Sequence, residues 1–323
     1  MSARILPMRY MAILLLSTVA FAQQATPPVL PNQAPKIDIL DHWRRATVAI
    51  GHLVDVGGKQ SFITDGSGVI VALDGTHACL LTAKHMFFNP AEQYSPTQIS
   101  MRLPKDSATS EIDLGVVVPL VMNGRVMWKT TVQESDLAVV QLPDLSKYKN
   151  VHAVGVQDFG TPDDVFQGAP IMVLGYPGIL GEAYQTTPIA RGGLVAWTNP
   201  DGIADKPFLV DANIFGGNSG GPVFHIRNGF DISGNFIVGG GYTFIGIISA
   251  DAYEFSDVVV SDEQTYASKL SQTNPITRKP DKILAQVKNI GGIGVVEPVA
   301  RIKELLEDAY GKPRGSLSKP KTP

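Results

Sequence analysis

The chain has 323 residues, 44% of them hydrophobic and 18% charged, enough to bury a sizeable core and too apolar for general disorder. A net charge of −3 lacks the basic footprint of a nucleic-acid binder. Thirty-two glycines and 23 prolines without a collagen-like period argue against a coiled coil or helical array and for short strands joined by turns.

The first predicted element is an export signal. Arg4 and Arg9 precede the apolar run Met11–Ala22, which ends in the small-residue pattern Ala20-Phe21-Ala22. That order reads as a cleavable secretory signal over residues 1–22, too short to span a bilayer. Cleavage after Ala22 would shift the net charge to −5. The expected location is therefore secreted or periplasmic, with no stable membrane insertion after cleavage and no nucleic-acid partner. Residues 23–38 are proline-rich and aperiodic, a linker composition.

Short β-type runs follow at Ala46–Val54, Gly66–Ala72, Ala78–Thr82, Ile99–Leu103, Ile112–Pro119, Leu137–Leu142, Pro170–Leu174, Ile189–Trp197, Phe208–Asp211, Pro222–His225, Ile237–Val238, Thr243–Ala250 and Gly292–Val296. Turn residues separate nearly all of them, which predicts antiparallel sheets closed into barrels or sandwiches, with enough chain for two small barrels. Asp251–Asn289 is mostly polar and reads as a long excursion between two strands. After Pro298 the spacing of Val299, Ile302, Leu305, Leu306 and Tyr310 predicts a helix over 299–310, with Arg301, Lys303, Glu304 and Asp308 on the opposite side. Residues 311–323 are basic and proline-rich and read as a disordered tail.

The sharpest chemical signal is Phe215-Gly-Gly-Asn-Ser219-Gly-Gly-Pro-Val223. Glycines around a serine leave its hydroxyl accessible and let consecutive backbone N–H groups turn toward one point, as an oxyanion hole requires. The same string fits G-x-S-x-G, but in an α/β-hydrolase the acid and histidine follow the serine, and only His225 does so here. A base must come from upstream, where His42, His52, His77, His85 and His152 are candidates. His85 is best placed, at the end of Cys79-Leu-Leu-Thr-Ala-Lys-His85. Asp136, at the mouth of the apolar run Leu-Ala-Val-Val, is the candidate carboxylate to orient it. Cys79 lies inside an apolar run and reads as a buried free thiol; no cluster has metal-ligand spacing, and no cofactor is expected.

Leu-Thr-Ala-Lys-His85, Ser-Asp136-Leu-Ala-Val-Val and Gly-Asn-Ser219-Gly-Gly-Pro together resemble the trypsin-like (chymotrypsin-fold) serine peptidases in order, spacing and flanking residues. The resemblance spans roughly Ala46 to Leu306. It looks closest to the HtrA-like (DegP-type) branch, on Asn218, Asp211-Ala-Asn-Ile, Gly66-Ser-Gly-Val-Ile-Val, Val173-Leu-Gly-Tyr-Pro-Gly and Gly292-Ile-Gly-Val-Val-Glu-Pro. It departs in Lys84 before the histidine and in leaving no room for a PDZ domain after Tyr310.

The resemblance implies an all-β fold of two six-stranded antiparallel barrels with a C-terminal helix. The peptidase domain would span 39–310, with barrel 1 at about 40–157, barrel 2 at about 165–298 and the helix at 299–310. It implies a serine endopeptidase acting on polypeptides through His85, Asp136 and Ser219 by an acyl-enzyme, with Gly217 and Ser219 N–H groups as oxyanion hole. Asn213, Ile214, Ile248, Ser249 and Ala250 would line the primary pocket, suiting small or medium uncharged side chains, and Ser249 would hydrogen-bond the triad aspartate. Asn218, a neutral amide, would preclude activation by ion pairing with a new N-terminal ammonium. A serine esterase with the same triad, or a catalytically silent peptide-binding or chaperone protein on the same fold, are the alternatives.

Overall fold

The computed structural model describes residues 39–74, 76–104, 115–131, 135–145, 148, 151–178, 186–201, 205–260 and 282–311. The predicted signal, the linker and all of the tail beyond Gly311 lie outside these residues. Among the described residues no helix is long and apolar enough to cross a membrane.

A short helix α1 (Ile39–Ala46) opens the described chain. Strands β1 (Thr47–Val56), β2 (Lys59–Ala72), β3 (Ala78–Ala83), β4 (Gln98–Arg102) and β5 (Val116–Pro119) follow, then the small hairpin β6 (Val121–Met122) and β7 (Arg125–Val126), then β8 (Trp128–Thr130) and β9 (Leu137–Gln141). The second half has β10 (Pro170–Gly175), β11 (Ile189–Trp197), β12 (Phe208–Asp211), β13 (Pro222–Ile226), the hairpin β14 (Gly229–Phe230) and β15 (Phe236–Ile237), and the long β16 (Tyr242–Val260) and β17 (Lys282–Pro298). Helix α2 (Val299–Tyr310) closes it.

The fold is all-β in its framework, as expected. Strands β10-β11-β12-β17-β16-β13 form a closed six-stranded antiparallel barrel. The first half is a curled seven-stranded antiparallel sheet in the order β5-β4-β1-β2-β3-β9-β8, whose short edge strands do not pair with each other.

The unbroken apolar runs of the first half follow from burial on both faces. Val69, Val71, Cys79, Leu81, Leu137 and Val139 point into a core shared with the second half, while Ile70, Ala72, Leu80, Ala138 and Val140 point into the first sheet's own core. The barrel strands alternate likewise: Val223, Ile245 and Ile248 fill the barrel, and Phe224, Phe244 and Ile247 face the shared core. Into that core α2 sends Val299, Ile302, Leu305 and Leu306, and α1 sends Trp43, whose ring lies tilted against Phe224 with centroids 4.4 Å apart.

Three local readings differ from the structure. α1 was hidden because eight residues carry barely two turns of periodicity and its last residue, Ala46, merges with the following strand. Arg301 is not on a solvent face but buried, because Glu297 one turn earlier accepts from its Nη1 at 3.0 Å. The described ends of the polar excursion after Asp251 are extended chain: β16 and β17 remain paired from Tyr253↔Ile290 to Val260↔Lys282 as a ribbon leaving the barrel, and residues 261–281 lie outside the described residues.

Candidate active site

His85 and Asp136, 51 residues apart in sequence, meet because their strands are neighbours. β3 pairs with β9 through Ala83↔Leu137, so the residues just beyond that pair are side by side. β3 ends in a short 3-10 turn, Lys84–Met86, which lifts His85 out of the buried strand to a half-buried position. Asp136 then holds it twice: Oδ1 accepts from the His85 backbone N–H at 2.9 Å, and Oδ2 lies 2.7 Å from His85 Nδ1. With Nδ1–H donating to the carboxylate, Nε2 is left as acceptor, the arrangement a general base needs. The Lys84 N–H donates to the Asp136 carbonyl at 3.1 Å.

Ser219 sits in the turn between β12 and β13, and Ser67 of β2 fastens that turn to the first sheet. Its N–H donates to the Ser219 carbonyl at 2.8 Å, and its hydroxyl donates to the Gly217 carbonyl at 2.7 Å while accepting from the Tyr176 N–H at 2.8 Å. Two glycines are required here. Gly217 has φ 95°, and a Cβ would fall 2.5 Å from the Gly178 nitrogen; Gly220 has φ 82°, and a Cβ would fall 2.1 Å from both the Ser67 carbonyl oxygen and Thr82 Oγ1.

The Gly216 carbonyl accepts from the Gly178 N–H and the Asn218 carbonyl from the Gly221 N–H. The opposite ends of those two peptides, the N–H groups of Gly217 and Ser219, donate to nothing among the described residues. Two unused donors flanking a half-exposed serine match what an oxyanion hole needs. No hydrogen bond joins the Ser219 hydroxyl to the His85 ring in this structure; such contacts are often long without substrate.

The family whose description is trypsin-like peptidase domain matches residues 66–230, just over half of the chain. The chain belongs to the trypsin-like peptidase family. The matched span takes in His85, Asp136 and Ser219. Among solved structures, the serine endoprotease from Yersinia pestis is similar with a TM-score of 0.42 and 16% identity over 84% of this chain and 65% of that one, so the chain spans less than two thirds of that protein's length. No curated protein matches the sequence significantly.

The other expected residues of this trypsin-like peptidase fall into two groups. Asn213 and Ala250 are exposed, whereas the side chains of Ile214 and Ile248 point into the barrel core, and the Ile248 N–H donates to the Gly221 carbonyl while its own carbonyl accepts from the Gly220 N–H. Ser249 does not reach Asp136: its hydroxyl donates to the Val295 carbonyl at 3.2 Å, across the β16–β17 ladder. The expected support for Asp136 comes instead from Glu297, whose Oε1 accepts from the Asp136 N–H at 3.1 Å. Sequence reasoning missed Glu297, although its string Gly-Val-Val-Glu-Pro had been noticed, because nothing local ties position 297 to 136. It also missed Arg191, whose guanidinium bonds the Asn213 carbonyl and stacks 4.6 Å over Phe215. Cys79 is buried and its thiol pushed up by burial, which makes it inert. A cavity of about 290 Å³ between the barrel and the start of α2, bordered by Lys206, Phe208 and Lys303, contains none of these residues.

Proposed function

We propose that the chain is a secreted or periplasmic serine endopeptidase of HtrA-like character, exported by residues 1–22 and acting on polypeptides through His85, Asp136 and Ser219. The observation that carries this reading is the doubly held His85–Asp136 pair, with its imidazole contact at 2.7 Å, in a sheet to which Ser67 also fastens the turn of a glycine-flanked serine with two unused N–H donors. His85 Nε2 takes the proton from Ser219 Oγ as the oxygen attacks the scissile carbonyl. The N–H groups of Gly217 and Ser219 stabilise the oxyanion, and His85 then gives its proton to the departing nitrogen. Water, deprotonated by the same ring, attacks the acyl-enzyme and releases Ser219.

The residue set suits peptide and ester carbonyls alike, and family membership favours the peptide. The deciding experiment is labelling with a fluorophosphonate alongside turnover of internally quenched peptides. Labelling confined to Ser219 together with peptide cleavage is expected. An unlabelled, folded protein would return the chain to the silent peptide-binding alternative.

A further inference from the structure

The first break in the β1–β2 ladder lies beside the candidate nucleophile. Ile50 pairs with Gly66 and Gly51 with Thr64, so Asp65 is an extra residue with no partner across the ladder. A bulge of this kind re-aims a side chain. Here Asp65 Oδ2 lies 2.8 Å from His52 Nδ1, with 26% of the aspartate and 53% of the histidine side chain exposed. The charge of Asp65 is also felt by half-buried Tyr94, whose phenol is pushed up by burial and by that charge.

The next residue, Gly66, is so close to the candidate site that a Cβ on it would lie 2.6 Å from Met86 Sδ and 3.2 Å from the Ser219 carbonyl oxygen. Consecutive Cα atoms are about 3.8 Å apart. Asp65 therefore stands on the rim of the site, within one residue of both the Ser219 turn and the His85–Met86 turn.

Acyl transfer gives that rim a direction. The departing nitrogen must meet the His85 ring, so the residues that follow the scissile bond leave over the half of the molecule that carries His85. Asp65 belongs to that half. Its present partner is an exposed histidine, cationic only when protonated, which a permanent cation can displace.

We propose that Asp65, with His52, forms a subsite for a lysine or arginine side chain on the leaving-group side of the scissile bond; the proposal rests on the peptidase reading above. It adds a cationic preference to one side of the cut and makes no demand on the residue at the primary pocket.

The test uses internally quenched peptides that differ only in carrying Lys, Ala or Glu at the two positions after the scissile bond. An ion pair of this exposure gives a Lys-to-Ala ratio of kcat/KM of about five, with Glu below Ala. The ratio shrinks as salt approaches about 1 M, where screening acts within about 3 Å. In Asp65→Asn the ratio falls to about one, and in His52→Ala it equals or exceeds that of the native enzyme, because the competitor is gone. The salt arm reads the native protein and does not depend on either variant folding. A ratio near one in the native enzyme, a Lys preference that survives Asp65→Asn or high salt, or its loss in His52→Ala overturns the subsite while leaving the peptidase reading standing. Absence of both peptide turnover and fluorophosphonate labelling overturns the two together.

Discussion

At the scale of single residues, the proposed chemistry depends on groups that act as a unit. Ser219→Ala and His85→Ala are each expected to lower peptide turnover by about 10⁴- to 10⁶-fold, with Asp136→Asn costing somewhat less. The thermal midpoint should stay near that of the native protein, since Ser219 and His85 are only half-buried. Residual turnover within about tenfold of the native enzyme in Ser219→Ala would sink the assignment. The required protonation state sets the pH response: the ring must be neutral to accept the serine proton, so kcat/KM falls on acidification. A profile flat from about pH 5 to 8 would point to another base. Asp164 responds in the opposite functional register, through stability. Burial alone would raise its pKa, yet hydrogen bonds from Arg227, the Thr161 N–H and His225 hold it well below the usual range. Its contribution is thus complete above about pH 4, the ordinary aspartate value, and lost as pH falls below it. Asp164→Asn, which leaves part-buried Arg227 without its charge partner, is expected to lower unfolding free energy by about 3 kcal/mol at neutral pH and by much less near pH 2, measured by urea titration at both.

Between residues and the whole molecule stand the elements that bring distant positions together. Glu297 sits at the end of β17, buried at 4% exposure, accepting from the Asp136 N–H on one oxygen and from Arg301 of α2 on the other. Glu297→Ala removes the carboxylate to which Arg301 Nη1 and the Asp136 N–H both donate. It should cost about 3 kcal/mol in denaturant unfolding. At temperatures where the variant stays folded it should also reduce kcat more than it raises KM, because it loosens Asp136 and not the substrate. These elements also mark what was legible beforehand. Strands such as β11 and β12 and the helix α2 could be read directly, because their apolar runs are bounded by turn residues or follow a 3.6-residue period. The three segments around His85, Asp136 and Ser219 were legible for the same reason: each ends or begins a buried strand. Residues that act across the ladder order were not. Ser67, Asp65 and Glu297 gain their roles from register and from contacts 13 to 161 residues away, and no local pattern encodes those. Ser249 shows the converse, a residue whose local string suggested a partner that the geometry assigns elsewhere.

At the scale of the whole molecule, the ribbon of β16 and β17 departs just after Ser249 and Ala250, two of the residues expected to line the primary pocket. Replacing Glu254–Lys282 by a short Gly/Ser connector is expected to widen the range of peptides cleaved or to raise kcat/KM for a folded protein substrate. An unchanged cleavage profile in a well-folded variant would deny the ribbon a gating role. The shared core binds the two halves more firmly than any cleft loop, since Trp43, Leu81, Val139, Phe224, Phe244 and the apolar face of α2 all belong to it. One consequence concerns time. A chain is made from its N-terminus, and Glu297 lies 161 residues beyond the aspartate that it supports. Asp136 and His85 emerge long before the carboxylate and the helix that brace them, so a growing chain holds these groups without their support. On the peptidase reading, full hydrolytic competence would then be acquired only as the end of β17 and α2 dock, long after the histidine and aspartate have been made.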